Sequence, residues 1–257
     1  MLLEPTIDKL NQMKLYGMAK ALKEWADNTH DKDISPTDLV GLLSEREWVF
    51  RDSRKLQLRL ANAKFKMAAC LEDIDYSPGR GLSRPVVLEL ASSRWVQQKH
   101  NIILSGPTGV GKSHLACALG NRACRDGYSV IYRRVSRLFD EMATARIDGT
   151  FPHLLKRLAK ANVLILDDFG LDSLSVTQRR DFLEVVEDRY NVSSTVITSQ
   201  LEPKEWHAVI GDPTIADAIC DRLVHNSHRL SLSGESIRKK QATKTGPTDS
   251  KKAKEEA

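Results

Sequence analysis

The chain has 257 residues, 41% hydrophobic and 28% charged, ordinary proportions for a globular protein able to bury a sizeable core. Its 39 Lys and Arg against 34 Asp and Glu leave a net charge of +5, which favours an anionic partner, nucleic acid first. No apolar run approaches the roughly 20 residues of a membrane helix. The N-terminus is mixed polar from Glu4 onward, without a secretory signal, so a cytoplasmic protein with no membrane partner is expected.

The opening stretch reads as helical. Leu10, Met13, Leu15 and Met18 recur at near-helical spacing, and Ala21, Leu22 and Trp25 continue the stripe. Ser35-Pro36 predicts a second helix, with Ser35 as N-cap and Pro36 at the first helical position. A third helix is predicted from about Ser44 to Leu71. Tyr76 to Pro85 contains Pro78, Gly79, Gly81 and Pro85, a composition that breaks helices and reads as a linker.

From Asn101 the pattern changes. The apolar runs Ile102–Leu104, Val130–Tyr132, Val163–Leu166 and Val196–Thr198, with a possible fifth at Arg229–Leu232, alternate with amphipathic stretches such as Val176–Tyr190. That alternation predicts an α/β fold with a parallel sheet covered on both faces. From Arg238 the chain is basic, nearly free of apolar residues and expected to be disordered. The expected organisation is a helical N-terminal domain over 1–75, a lead-in over 76–100, an α/β core over 101–237 and a tail over 238–257.

Four cysteines, Cys70, Cys117, Cys124 and Cys220, form no C-x-x-C pair and read as buried free thiols. His225 and His228 lack a second ligand pair and read as surface or interface histidines.

The strand Ile102–Leu104 runs into Gly106-Pro107-Thr108-Gly109-Val110-Gly111-Lys112-Ser113, followed by a helix that His114 continues. This is G-x-x-x-x-G-K-[ST] in a strand–loop–helix setting. Its glycines let backbone N–H groups curl toward phosphates, and the helix N-terminus adds a favourable dipole. Lys112 is expected to neutralise β- and γ-phosphate oxygens of ATP, and Ser113 to ligate Mg²⁺. A second motif ends the apolar strand Val163–Leu166 with Asp167-Asp168, at the ligand edge of a parallel sheet. Asp167 suits the Mg²⁺ shell. Asp168 can orient or deprotonate an attacking water; two aspartates there could also merely cap the next helix. Ser199 or Gln200, at the end of Val196–Thr198, could hold that water, or be a loop polar group. Arg222 and Arg238 are not distinguished from other arginines by spacing alone.

The helix predicted from Ser44 carries Arg46, Arg51, Arg54, Lys55, Arg59, Lys64 and Lys66 against Glu45, Glu47 and Asp52, a net +4. Such a stripe can pair with phosphates without reading bases, or be a solvated face. Arg133 and Arg134 follow the second strand, where they could line the inner side of an assembly.

GPTGVGKSHLA at 106–116, LILDDFG at 164–170, VITSQ at 196–200, DRL at 221–223 and GESIR at 234–238 resemble the IstB group of AAA+ ATPases, helpers of insertion-sequence transposition. KLNQMKLYGMAKAL at 9–22 resembles that group's helical N-terminal region. The resemblance implies an AAA+ sheet of order 5-1-4-3-2, with Arg222 as an arginine finger acting in trans and Arg238 as a nucleotide sensor within its own subunit. It implies ATP-driven assembly of subunits into a ring or spiral on double-stranded DNA, deformation of that DNA, recruitment of a cognate transposase, and hydrolysis that clears the DNA. Asp168 stands where Glu is usual in AAA+ proteins, and Ser199 or Gln200 where Asn is frequent. The sequence also resembles DnaC-type helicase loaders, whose N-terminal region would bind a helicase instead. A non-hydrolysing, nucleotide-gated scaffold is a third reading.

Overall fold

The structure is a computed structural model and describes residues 3–27, 34–77 and 79–237. Arg238 and the basic tail lie outside the described residues. The chain divides into two compact units, Met1–Ala61 and Asn62–Ala257. No helix among the described residues is long and apolar enough to cross a membrane.

The first unit holds α1 (Leu3–Gln12), α2 (Tyr16–Asp27) and most of α3 (Pro36–Ala63). Two helices were expected where α3 runs unbroken for 28 residues. Nothing between Ser35 and Ala63 interrupts it except Gly41, which a helix tolerates at roughly 1 kcal/mol. The Ser35 hydroxyl accepts the Asp38 amide at 3.2 Å, satisfying one free donor of the first turn. The helix stops at Ala63, short of the expected Leu71, because Lys64 turns left-handed (φ 54), a position usually taken by glycine.

Glu47 on α3 fastens the N-terminus of α2. Its buried carboxylate accepts the amides of Gly17 at 2.6 Å and Met18 at 3.1 Å, and it pairs with Arg51 one turn on at 2.6 Å. Burial opposes ionisation, but these hydrogen bonds outweigh it and hold the Glu47 pKa below its usual value. A Cβ at Gly17 would sit 2.7 Å from the Glu47 Cα, so only glycine permits this approach.

The second unit contains α4 (Arg84–Ala91), α5 (Arg94–Gln97), β1 (Asn101–Ser105), α6 (Lys112–Arg125), β2 (Val130–Arg134), α7 (Val135–Ile147) and α8 (Phe151–Lys160). It continues with β3 (Val163–Phe169), α9 (Val176–Arg189), β4 (Ser194–Ser199), α10 (Trp206–Ile210), α11 (Pro213–Val224) and β5 (Ser227–Ser231). All four strand pairings are parallel, in the order β2-β3-β4-β1-β5. β1, β3 and β4 are buried almost throughout, as both-face coverage requires. On one side, Phe169 stacks on Phe182 at 5.2 Å and meets Trp206 edge-on at 4.9 Å, which anchors the end of β3.

The stretch with linker composition is not free. Arg80 is 4% exposed and pairs with Asp75 at 3.1 Å. Ser233, just beyond β5, donates its amide to the Arg80 carbonyl and its hydroxyl to the Gly79 carbonyl. This segment therefore runs beside the exit of β5.

Candidate nucleotide site

The carboxyl ends of β1, β3 and β4 converge where strand order changes direction, the usual place for a ligand in such sheets. β1 feeds the loop Gly106–Gly111. Gly106 (φ 132), Gly109 (φ 86) and Gly111 (φ 103) are left-handed. A Cβ on Gly106 would run into the Leu232 carbonyl, and one on Gly109 into the Ser236 side chain. The loop is closed from outside as well: the Ile237 amide donates to the Gly109 carbonyl at 3.0 Å, and Arg80 reaches the Val110 carbonyl at 3.5 Å.

α6 begins at Lys112, whose ammonium donates to the carbonyls of Gly106 at 2.6 Å and Pro107 at 2.8 Å. Burial lowers its pKa, and Asp168 and Asp167 partly offset that. Lys112 thus reaches across the mouth of the loop, where a phosphate oxygen can take over from the carbonyls.

Ser113 donates its hydroxyl to Asp167 Oδ1 at 2.7 Å. Thr198 on β4 donates to the same oxygen at 2.7 Å. Tyr132 on β2 donates to Asp167 Oδ2 at 2.6 Å, and Lys66 lies 3.3 Å from it. Burial would raise the Asp167 pKa, but the Thr198, Tyr132 and Ser113 bonds, with Lys66, hold it below the usual carboxylate value. Tyr132 is pushed well above its ordinary pKa by burial and by Asp167, so it stays a proton donor. A buried, ionised carboxylate beside a hydroxyl is a hard-oxygen pair suited to Mg²⁺, which takes one or two carboxylates and completes its shell from phosphate and water. The residues fit the ion.

Asp168 sits at an irregularity in the β3–β4 register between Leu166 and Phe169, with φ 63. Such a bulge re-aims side chains: Asp167 is buried, whereas Asp168 lines the open cleft. The Asp168 amide donates to Thr198 Oγ1 at 2.9 Å, and its carboxylate pairs with Arg134 at 3.1 Å. The cleft, of ≈ 490 Å³, is lined by Thr108, Lys112, Ser113, His114, Asp168 and Gln200, among others.

Ser199 and Gln200 separate clearly. The Ser199 hydroxyl is buried, donates to the Phe169 carbonyl at 2.8 Å and accepts the Leu201 amide at 3.1 Å. Gln200 faces the cleft. Arg222, near the end of α11, is not among the cleft's lining residues. It pairs with Glu187 at 2.7 Å and donates to the Ala218 carbonyl at 2.9 Å. Among the expected DNA contacts, Arg46, Arg54 and Lys55 are exposed on α3, Arg51 pairs with Glu47, and Arg59 is half-buried. Arg133 turns back to Glu141 at 2.9 Å, while Arg134 enters the cleft. Two of the four cysteines, Cys117 and Cys124, are buried, and all four are free thiols.

Residues 8–245 match the family described as IstB-like ATP binding protein. The chain belongs to that family. This IstB-like protein is 51% identical over 245 residues to the insertion sequence ATP-binding protein y4pL of Sinorhizobium fredii, covering 95% of this chain and all of that one. It is 32% identical over 237 residues to the insertion sequence IS21 ATP-binding protein of Pseudomonas aeruginosa, covering 92% of this chain and 89% of that one. Its fold is that of DnaI (TM-score 0.57, 23% identity, 69% of this chain and 94% of that one). It is also that of the DnaC helicase loader (TM-score 0.53, 20% identity, 68% and 99%). The IstB-like protein therefore belongs to an ATP-binding family, and it shares the fold of these two solved structures.

Proposed function

We propose that this IstB-like protein is a Mg²⁺-dependent ATPase that assembles on duplex DNA as a homo-oligomer, deforms it and presents it to a cognate transposase, with hydrolysis driving disassembly. One observation carries the ATPase reading: Lys112, Ser113 and Asp168 line one cleft, and Asp167, buried behind it at the end of β3, accepts the Ser113 hydroxyl.

The chemistry follows from the contacts. The amides of the Gly106–Gly111 loop and the N-terminus of α6 hold the phosphate chain. Lys112 exchanges its loop carbonyls for β- and γ-phosphate oxygens. Ser113 and Asp167 hold Mg²⁺, which supplies neutralisation of the charge on those oxygens. Asp168, facing the cleft, orients a water toward the γ-phosphorus and accepts its proton. The new P–O bond forms as the bond to the β–γ bridging oxygen breaks, leaving ADP and phosphate. Gln200 helps place the water. Arg222, which does not line the cleft of its own subunit, serves the γ-phosphate of a neighbouring copy, and Arg238 senses nucleotide within its own.

DNA contact is assigned to Arg46, Arg51, Arg54, Lys55 and Arg59 on α3 and to Arg134, through phosphates and without base readout; Arg133, buried and paired with Glu141, is left out of it. The likeness to helicase loaders concerns the fold. The relatives named for insertion sequences match far more closely, which favours the transposition role over loading. The test is phosphate release with and without duplex DNA. Lys112→Ala should bring both rates to background and abolish ATP-dependent assembly on DNA seen by size. Full-size ATP-dependent complexes of this variant would refute the reading.

A further inference from the structure

A second groove, of ≈ 500 Å³, opens beside the nucleotide cleft within the same unit. Its walls carry Lys64, Lys66, Arg133, Arg134 and Arg137, against Glu141 as the one acid among the described residues that line it. Arg133 is committed to Glu141. Lys64 and Arg137 are exposed and make no ion pair among the described residues. Lys66 and Arg134 line both the groove and the nucleotide cleft. Lys66 lies 3.3 Å from Asp167 and 4.0 Å from Asp168, and Arg134 lies 3.1 Å from Asp168.

The segment bearing two of these cations is firmly seated. Lys64 holds the left-handed turn that ends α3. Phe65 packs so closely on α6 that a Cβ on Gly120 would sit 2.7 Å from its ring. The ring thereby fixes the backbone of Lys64 and Lys66 on either side of it.

We propose that this groove seats the phosphodiester backbone of duplex DNA, and that a phosphate there draws Lys66 and Arg134 off Asp167 and Asp168, releasing both acids for Mg²⁺ and the attacking water. Cations with no carboxylate partner at one end, and cations resting on the catalytic acids at the other, share one anion-sized channel. Both cations can be drawn toward a phosphate because their own side chains are 35% and 47% exposed: the Arg134–Asp168 pair, open to water, is worth only about 0–1 kcal/mol, whereas Lys66 leaves a fully buried Asp167, whose charge the incoming metal takes up in its place. A divalent ion at Asp167 and an ammonium 3.3 Å from that carboxylate repel one another, so moving Lys66 favours metal binding directly. DNA bound in the groove would thus switch on the adjoining ATPase site.

This inference rests on the DNA-dependent ATPase reading above, and the experiment separates the two. Binding of a slowly hydrolysed fluorescent ATP analogue to the full chain is titrated with Mg²⁺, with and without duplex DNA. Duplex should lower the half-saturating Mg²⁺ severalfold in the wild type. The Lys64→Ala, Arg137→Ala double variant should lose that shift, and its log–log salt slope for duplex binding should be shallower by about two. Lys66→Met should show the low half-saturation already without duplex and change little when it is added. A full DNA-induced shift in the double variant, or a Lys66→Met protein that behaves as wild type without DNA, overturns the proposal. Wild-type nucleotide binding that ignores Mg²⁺ overturns the ATPase reading and this inference together. Duplex binding and Mg²⁺ dependence without a shift overturn this inference alone.

Discussion

Thr198 donates its hydroxyl proton to Asp167 Oδ1 at 2.7 Å while the same oxygen of Thr198 accepts the Asp168 amide at 2.9 Å. One side chain on β4 thus sets both the ionisation of the first acid and the backbone position of the second. Thr198→Ala should leave a buried carboxylate short of a donor and release the bulge. A buried group left unpaired costs about 1–3 kcal/mol. Lost entirely from the transition state, that is about 5- to 160-fold in phosphate release. Thr198→Ser should retain most of the activity, because it keeps the oxygen. Equal losses in the two variants would show that the methyl group matters instead.

Arg222 is held in its own subunit by Glu187. If Arg222 serves a neighbour, Arg222→Ala should bind the ATP analogue normally and hydrolyse poorly. Mixed with Lys112→Ala protein, which keeps its own Arg222, it should regain activity. Glu187→Ala should raise the hydrolysis rate in assembled protein by a few-fold, since the guanidinium no longer has to leave an ion pair. Absence of rescue in the mixture argues against action in trans.

Gly106→Ala should abolish nucleotide binding. The residue is left-handed and its Cβ would collide with the Leu232 carbonyl, so neither the loop nor the segment that follows β5 can keep its place. Equilibrium binding of the ATP analogue, together with thermal melting, reads both effects.

Glu47 gives the N-terminal unit a pH dependence of known sign. Its folded-state pKa lies below the ordinary value of 4.5, so its contribution is fully present above that value and fades as pH falls through the folded pKa. Glu47→Gln should destabilise the unit at pH 7 by about 2 kcal/mol, the scale of hydrogen bonds to a charged group. The difference from wild type should shrink in acid. Denaturant unfolding of the two proteins at pH 7 and pH 3 measures it.

The nucleotide-binding end of the molecule was readable from the sequence because it is local. Gly106 to Ser113 is a contiguous motif, and Asp167-Asp168 announces itself by following an all-apolar strand. The sheet order followed from family resemblance, and the structure shows the same neighbours. What escaped is whatever depends on register. Thr198 looks like any strand threonine until β4 is laid beside β3. Tyr132 looks like core until its hydroxyl is seen against Asp167. Lys66 sits 101 positions before the acid it touches, with no local signal at all. The unbroken course of α3 was hidden by Ser44 and the glycine before it, which resemble a boundary but do not compel one.

The pairing of β1 has a consequence for biosynthesis. Among the described residues, the strands that pair with this first strand of the sheet are β4 and β5, both made long after it. As the polypeptide emerges from the ribosome, β1 must wait with both edges bare while some ninety further residues are added, and such edges invite pairing with other chains. The phosphate loop waits with it, since its outer support comes from the backbone of Leu232 and Ile237. A nascent chain stalled anywhere before the last sheet strand therefore cannot be rescued by nucleotide.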